Sequence, residues 1–217
     1  MIKPLFAQGL FLCTINAPRI SLLYLRNLMT NRMKRLYTLF CVILFIITAS
    51  AQNLIKCDDG SSYWILKDKG KMFALHLRGD IAQANIPQLL NIEETGLHYN
   101  ILNKSEYLKK GGGGSDAAVL TRFIQGEEKF LCEKMKPEYE LKKLPSGKNC
   151  LLWHHDWFGA DEATEQQVHI TIILNDAIVW LSAPKFVGQD RTKIESFLLE
   201  TIATLRSIKD TKGLCGK

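Results

Sequence analysis

The stretch Trp153-His154-His155-Asp156-Trp157, followed by His169, gathers the side chains with the greatest chemical capacity in this chain. Imidazoles and carboxylates that converge can hold a divalent metal, and a histidine beside a hydroxyl can activate it as a nucleophile. Strand alternation sends Trp153, His155 and Trp157 to one face and His154 and Asp156 to the other. In the next apolar run, Val168, Ile170, Ile172 and Leu174 share a face and leave His169, Thr171 and Ile173 opposite. Matching the tryptophan face to the Val168 face predicts His154 opposite His169, with Asp156 close by. Pairing Leu174 with Ala177 across Asn175-Asp176 puts Ser182 opposite His169 and Trp180 opposite Thr171.

One sheet face is therefore expected to present His154, Asp156, His169, Trp180 and Ser182 together. As a metal site it would use His154, Asp156 and His169; as a serine hydrolase it would use Ser182. Catalysis is the weaker expectation. Parallel side chains on a sheet do not converge by themselves on a metal, and Ser182 lacks the G-x-S-x-G turn and any identifiable oxyanion donors. A ligand-binding face bearing aromatic and imidazole groups asks less of the geometry. His155, on the side of Trp153 and Trp157, reads as a core histidine. No residue is assigned a catalytic role and no cofactor is expected, because dinucleotide, H-E-x-x-H and Ca²⁺-loop patterns are absent from the sequence. Gly111–Gly114 precedes a helix but lacks a following Lys-Ser or Lys-Thr, and Asp116 would repel an anion, so it reads as a flexible loop.

The elements that must position these residues follow from periodicity. Residues 63–67 and 71–77 form a hairpin around Asp68-Lys69-Gly70. Asn85–Asn91 reads as a short helical turn, and Leu97, Tyr99 and Ile101 alternate as in a half-buried strand. Ser115 or Asp116 caps a helix to about Met135, with Val119, Leu120, Phe123, Ile124, Phe130, Leu131 and Met135 on its apolar stripe. Tyr139–Leu144, Cys150–Phe158, Val168–Leu174 and Ala177–Ala183 read as four strands. Asp190 then opens a helix to about Ile208, whose Ile194, Phe197, Leu198, Thr201, Ile202, Leu205 and Ile208 face a sheet. Strands joined by short turns, with helices before and after, make an α+β domain: an antiparallel meander packed by helices.

Met33-Lys34-Arg35, the apolar run Leu36–Ile47 and Ala49-Ser50-Ala51 have the form of a signal peptide, too short for the roughly 20 residues that span a bilayer. Translation is expected to begin at Met33, leaving 1–32 as a misassigned upstream extension. The mature domain is then 52–217, exported to the periplasm or the extracellular space with no stable membrane span. Six of the 28 Lys and Arg and none of the 22 Asp and Glu precede residue 52, so the remainder is balanced at 22 of each. That balance excludes the cation surplus of a nucleic-acid binder. Cys57, Cys132, Cys150 and Cys215 then remain, an even number suited to two disulfides; Cys57–Cys215 and Cys132–Cys150 are the preferred pairs among three connectivities. Their spacing lacks the close pairs of a structural zinc site.

The order of elements, with the turn Leu174-Asn175-Asp176-Ala177 and the run Phe197…Ile202…Leu205-Arg206-Ser207, resembles the PsbP-like fold over about 138–208. The resemblance implies an α/β/α sandwich and a non-catalytic accessory or binding module, and it transfers no functional residue. The expected function is therefore binding of a small ligand or an envelope protein. A metal-dependent or serine hydrolase and a purely structural scaffold are the alternatives.

Overall fold

A computed structural model describes residues 53–84, 88–108, 114–131, 135–157 and 161–216. The signal peptide, Cys132 and all but the last residue of the Gly111–Gly114 loop lie outside these residues.

The expected hairpin is β2 (Ser62–Asp68) and β3 (Lys71–Leu77), flanked by β1 (Asn53–Lys56) and, at the far end of the chain, β11 (Arg206–Ile208), in the order β1-β2-β3-β11. A second, seven-stranded antiparallel sheet runs β4-β5-β6-β10-β9-β8-β7. Its members are β4 (Ile81–Gln83), β5 (Leu89–Ile92), β6 (Thr95–Asn103), β7 (Glu138–Lys143), β8 (Asn149–Asp156), β9 (Thr164–Leu174) and β10 (Ala177–Phe186). The four predicted C-terminal strands form the expected meander, and β6, β5 and β4 extend it.

Helix α1 (Asp116–Glu128) lies across β8 and β9, and Ser115 Oγ caps it by accepting from Ala118 N. Helix α2 (Arg191–Ala203) packs on β9, β10 and β3, capped by Asp190 Oδ1 accepting from Thr192 N. The two helices cover opposite faces, and the small sheet shares the α2 side. One core cluster joins Ile194, Leu198 and Ile202 of α2 to Trp64, Leu66, Phe73 and Leu75, and to Tyr99, Leu152, Val168, Ile170, Val179 and Leu181 of the large sheet. Burying that many apolar side chains is the main stabilising term of the fold.

Three elements differ from expectation. The helical turn at 85–91 is contradicted from Leu89 onward, since Leu89–Ile92 is a strand paired with β6. Helix α1 stops at Glu128 rather than Met135; Phe130 and Leu131 instead donate their N–H groups to Glu127 O, and Phe130 is left exposed. Helix α2 stops at Ala203 rather than Ile208. Thr204 accepts from His76 N at 3.0 Å and donates to Thr201 O at 2.8 Å, and the next residues pair with β3, Arg206 opposite Ala74 and Ile208 opposite Met72. There the ladder outcompetes continued helix, and Ile208 packs on Ile65, Ala74 and Leu214.

Cys57 and Cys215 form a disulfide that ties the β1–β2 turn to the C-terminal segment across 158 residues. The second expected bridge is a correction: Cys150 is a free, buried thiol, because its position on β8 points into the α2-side core with Leu152 and Ile172. Burial raises its pKa.

Candidate ligand site on the helix α1 face of the large sheet

Pairing within the large sheet settles which side chains meet. Leu174 pairs with Ala177, Ser182 with His169 and Trp180 with Thr171, as the turn chemistry predicted. Asn175 adopts the left-handed region, φ 58°, that this tight turn needs. Between β8 and β9, however, Trp153 pairs with His169 and His154 with Val168. The expected register is off by one residue, so the faces of β8 are exchanged. His154 and Asp156 point to the α2 side, while Trp153 and His155 share the α1 side with His169, Thr171, Trp180 and Ser182.

The grouping of His154 and Asp156 with His169 is thus corrected, and with it the metal set. His154 Nε2 accepts a hydrogen bond from Arg191 Nη1 at 2.8 Å, which anchors the ring to the start of α2. Having accepted there, Nε2 cannot also donate to Glu138 Oε2 at 3.3 Å, so that approach is not an ion pair of a neutral ring. Burial, and then the Arg191 charge, lower its pKa. Asp156 Oδ1 accepts from Gln166 Nε2 at the surface. Among the described residues, no three His, Cys, Asp or Glu side chains are placed to hold a metal ion.

The α1 face carries a different constellation. A transverse row crosses five strands as Tyr139, Trp153, His169, Ser182 and His98, each opposite the next. His169 is 3% exposed, with Trp153 stacked on it at a centroid distance of 3.8 Å and His155 stacked at 5.2 Å. Trp180 Nε1 donates to His169 Nδ1 at 2.8 Å. A neutral imidazole carries one proton, so Nε2 must hold it. That Nε2–H is buried and has no hydrogen-bond partner. Desolvation, followed by the neighbouring His155, His98 and His154, holds the pKa of His169 well below the usual histidine range. Burial and the bond accepted at Nδ1 both favour the neutral ring.

The surroundings lock this geometry. Trp153 Nε1 donates to Thr171 Oγ1 at 3.1 Å, and His155 Nδ1 lies 2.9 Å from Asp156 O, to which it can only donate. Phe123 of α1 meets Trp153, Trp180 and Tyr107 edge-on, so the helix clamps the aromatic end of the row. Arg122 Nε donates to Tyr107 O at 2.6 Å, fixing α1 to the short 3₁₀ turn Lys104–Tyr107. Glu127, 4% exposed, is pushed up to a pKa of about 7 by desolvation, and its Oε2 has no partner. At the other end of the row, two strands beyond those α1 crosses, His98 and Asn100 of β6 are only half-buried. Burial lowers the pKa of His98.

His98, Trp153, His155 and Phe123 were not named as site residues by sequence reasoning. For His98 the signal existed: alternation of Leu97, Tyr99 and Ile101 already leaves His98 on the opposite face, and only its pairing with Ser182 was missing. For β8 no parity signal existed. Cys150, Leu151, Leu152 and Trp153 are all buried, so the strand is apolar on both faces.

The hydroxyl of Ser182 sits between His169 and His98 in the row, but the tautomer of His169 presents a donor on Nε2 rather than a base. A proton cannot pass from Ser182 to that nitrogen, which weakens the hydrolase reading. The Nε2–H of His169 is instead a buried donor without a protein partner, framed by Trp153, His155 and Trp180.

No family model matches the chain, and no curated protein matches it. Among solved structures it is similar to the solution structure of cyanobacterial PsbP (CyanoP) from Synechocystis sp. PCC 6803, at 10% identity and a TM-score of 0.38, covering 74% of this chain and 96% of that one.

Proposed function

We propose that this chain is an exported binding module, not a catalyst, and that its ligand seats on the α1 face of the large sheet between His169 and His98. The observation that carries this reading is the buried Nε2–H of His169 without a partner. Leaving such a donor unsatisfied costs about 1–3 kcal/mol, and an acceptor oxygen brought by a ligand would recover it. The rings around it favour a small molecule with a flat apolar body and one carbonyl or carboxylate oxygen. Because His169 is neutral and desolvated, a neutral carbonyl suits the seat better than a full anion. Entry is from the β6 side, where His98 and Asn100 are half-buried and Ser182 offers a second polar contact. The apolar end stays closed by Phe123.

Export is supported by the leader features of residues 33–51 and by the Cys57–Cys215 disulfide, a bond that persists in oxidising compartments. No helix among the described residues is long and apolar enough to cross a membrane.

Affinity selection tests the binding reading. Purified protein is incubated with a small-molecule extract, separated by gel filtration, and co-eluting compounds are identified by mass spectrometry. The expected result is a flat carbonyl-bearing compound that is retained by the protein and by His154→Ala, and lost in a folded His169→Phe variant. Retention of nothing, or equal retention by His169→Phe, would contradict the proposal. Intact mass of the protein before and after reduction tests export, with cleavage after Ala51 and one bridge expected.

A further inference from the structure

The two edges of the large sheet are built differently. β4 is a three-residue strand, whereas β7 is six residues long and pairs with β8 without a bulge or register shift. Among the described residues, no strand pairs with the outer edge of β7. Short strands, bulges, prolines and charged side chains are the usual ways an edge is kept from pairing; β7 has no bulge or proline within its span, and its charges Glu138, Glu140, Lys142 and Lys143 are the device whose partner must be complementary for it to pair.

Its sequence, Glu138-Tyr139-Glu140-Leu141-Lys142-Lys143, runs from acidic to basic. Laid against itself antiparallel, such a strand sets acid opposite base; laid parallel, it sets like against like. A two-fold axis normal to the sheet preserves its faces, so residues of the same parity must oppose one another. With Leu141 at the centre, Leu141 meets Leu141, each Glu140 meets a Lys142, and each Tyr139 meets a Lys143 whose stem can lie on the ring. The alternative centred on Glu140 opposes two carboxylates, which is unfavourable. The apolar side chains are already presented: Tyr139 is 47% and Leu141 43% exposed on the α1 side. On the other side Glu140 is 68% exposed and reaches Lys142 within its own strand at 3.3 Å. That intrastrand pair would exchange for two cross-strand pairs.

We propose that β7 joins two copies of this chain edge to edge into one continuous fourteen-stranded antiparallel sheet (twice the seven strands of each copy), in the register that sets Leu141 opposite the second copy's Leu141. The occupant of the edge is a second copy because the strand is complementary to itself. The proposal does not depend on the ligand seat.

Analytical ultracentrifugation of the purified full chain over about 1–100 μM is the test, the range in which a modest interface is half-formed. The expected result is a concentration-dependent dimer. Glu140→Lys, which opposes two lysines twice over, is expected to weaken it at least about tenfold, and the charge-exchanged double variant Glu140→Lys with Lys142→Glu to restore it. Circular dichroism checks that each variant is folded. Independently of those variants, Leu141→Cys is expected to oxidise to a covalent dimer, because directly opposed residues lie within disulfide range. Tyr139→Cys is not, because it stands four residues out of register with its own copy. A monomer throughout, equal association of the single and double charge variants, or equal crosslinking at 139 and 141 would overturn the proposal.

Discussion

Replacing Glu127 by Gln should change how stability depends on pH, and the size of the change follows from one buried carboxyl. Glu127 lies on α1 beside Tyr107, 4% exposed, with a folded-state pKa of about 7 set by desolvation against an ordinary 4.5. Between those values the folded protein holds a proton that the unfolded chain has released. Stability must therefore fall as pH rises through this window, and remain lowered above it. A separation of about 2.5 units corresponds to about 3 kcal/mol. Gln cannot ionise, so Glu127→Gln should match the parent below about pH 4 and exceed it by about 3 kcal/mol at pH 8. For a chain of this size that is a rise in Tm of roughly 10 °C. The assay is thermal unfolding by circular dichroism from pH 4 to pH 8.5. His98, His154, His155 and His169 have lowered pKa values and act in the opposite sense, destabilising the fold as pH falls below about 6.5. They are common to both proteins, so the difference between the curves isolates Glu127. Parallel curves across the range would refute the reasoning.

Phe123→Ala should cost about 3–5 kcal/mol in chemical denaturation, because Phe123 is fully buried against Tyr107, Trp153 and Trp180. The same change should alter tryptophan emission, whereas an unchanged spectrum would mean that α1 does not clamp the row. Replacing Cys57 and Cys215 together by Ser should destabilise the domain by roughly 5 kcal/mol, since the bridge closes a loop of 158 residues; equal denaturation midpoints for the oxidised parent and this variant would contradict that. Trp180→Phe removes the donor to His169 Nδ1 and should cost about 1–2 kcal/mol, with the ring losing its fixed tautomer in ¹⁵N spectra.

Much of the architecture was legible where a tight turn fixes the pairing. Asn175-Asp176 joins β9 to β10 with Leu174 opposite Ala177, so that register and the places of His169, Trp180 and Ser182 could be read directly although Val168–Leu174 is buried on both faces. β8 is also buried on both faces and no comparable turn joins it to β9, so choosing the tryptophans as the inward set moved every side chain by one. Helix ends were misjudged where tertiary pairing overrode periodicity. Leu205 and Ile208 continue the apolar spacing of α2, yet Thr204 bonds to His76 and the chain turns into β11. The small sheet was half legible: its hairpin has a turn signal, whereas β11 joins it from the far end of the chain, a pairing that no local pattern encodes.

The ring nitrogens of His169 offer the most direct check on the binding seat. In ¹⁵N-labelled protein, a proton on Nε2 and a bare, accepting Nδ1 are expected to persist from pH 8 down to pH 5. The Nε2–H resonance alone should then shift strongly when a retained carbonyl compound is added. Protonation near pH 6.5, a proton on Nδ1, or a ring signal indifferent to every retained compound would show that no acceptor seats there.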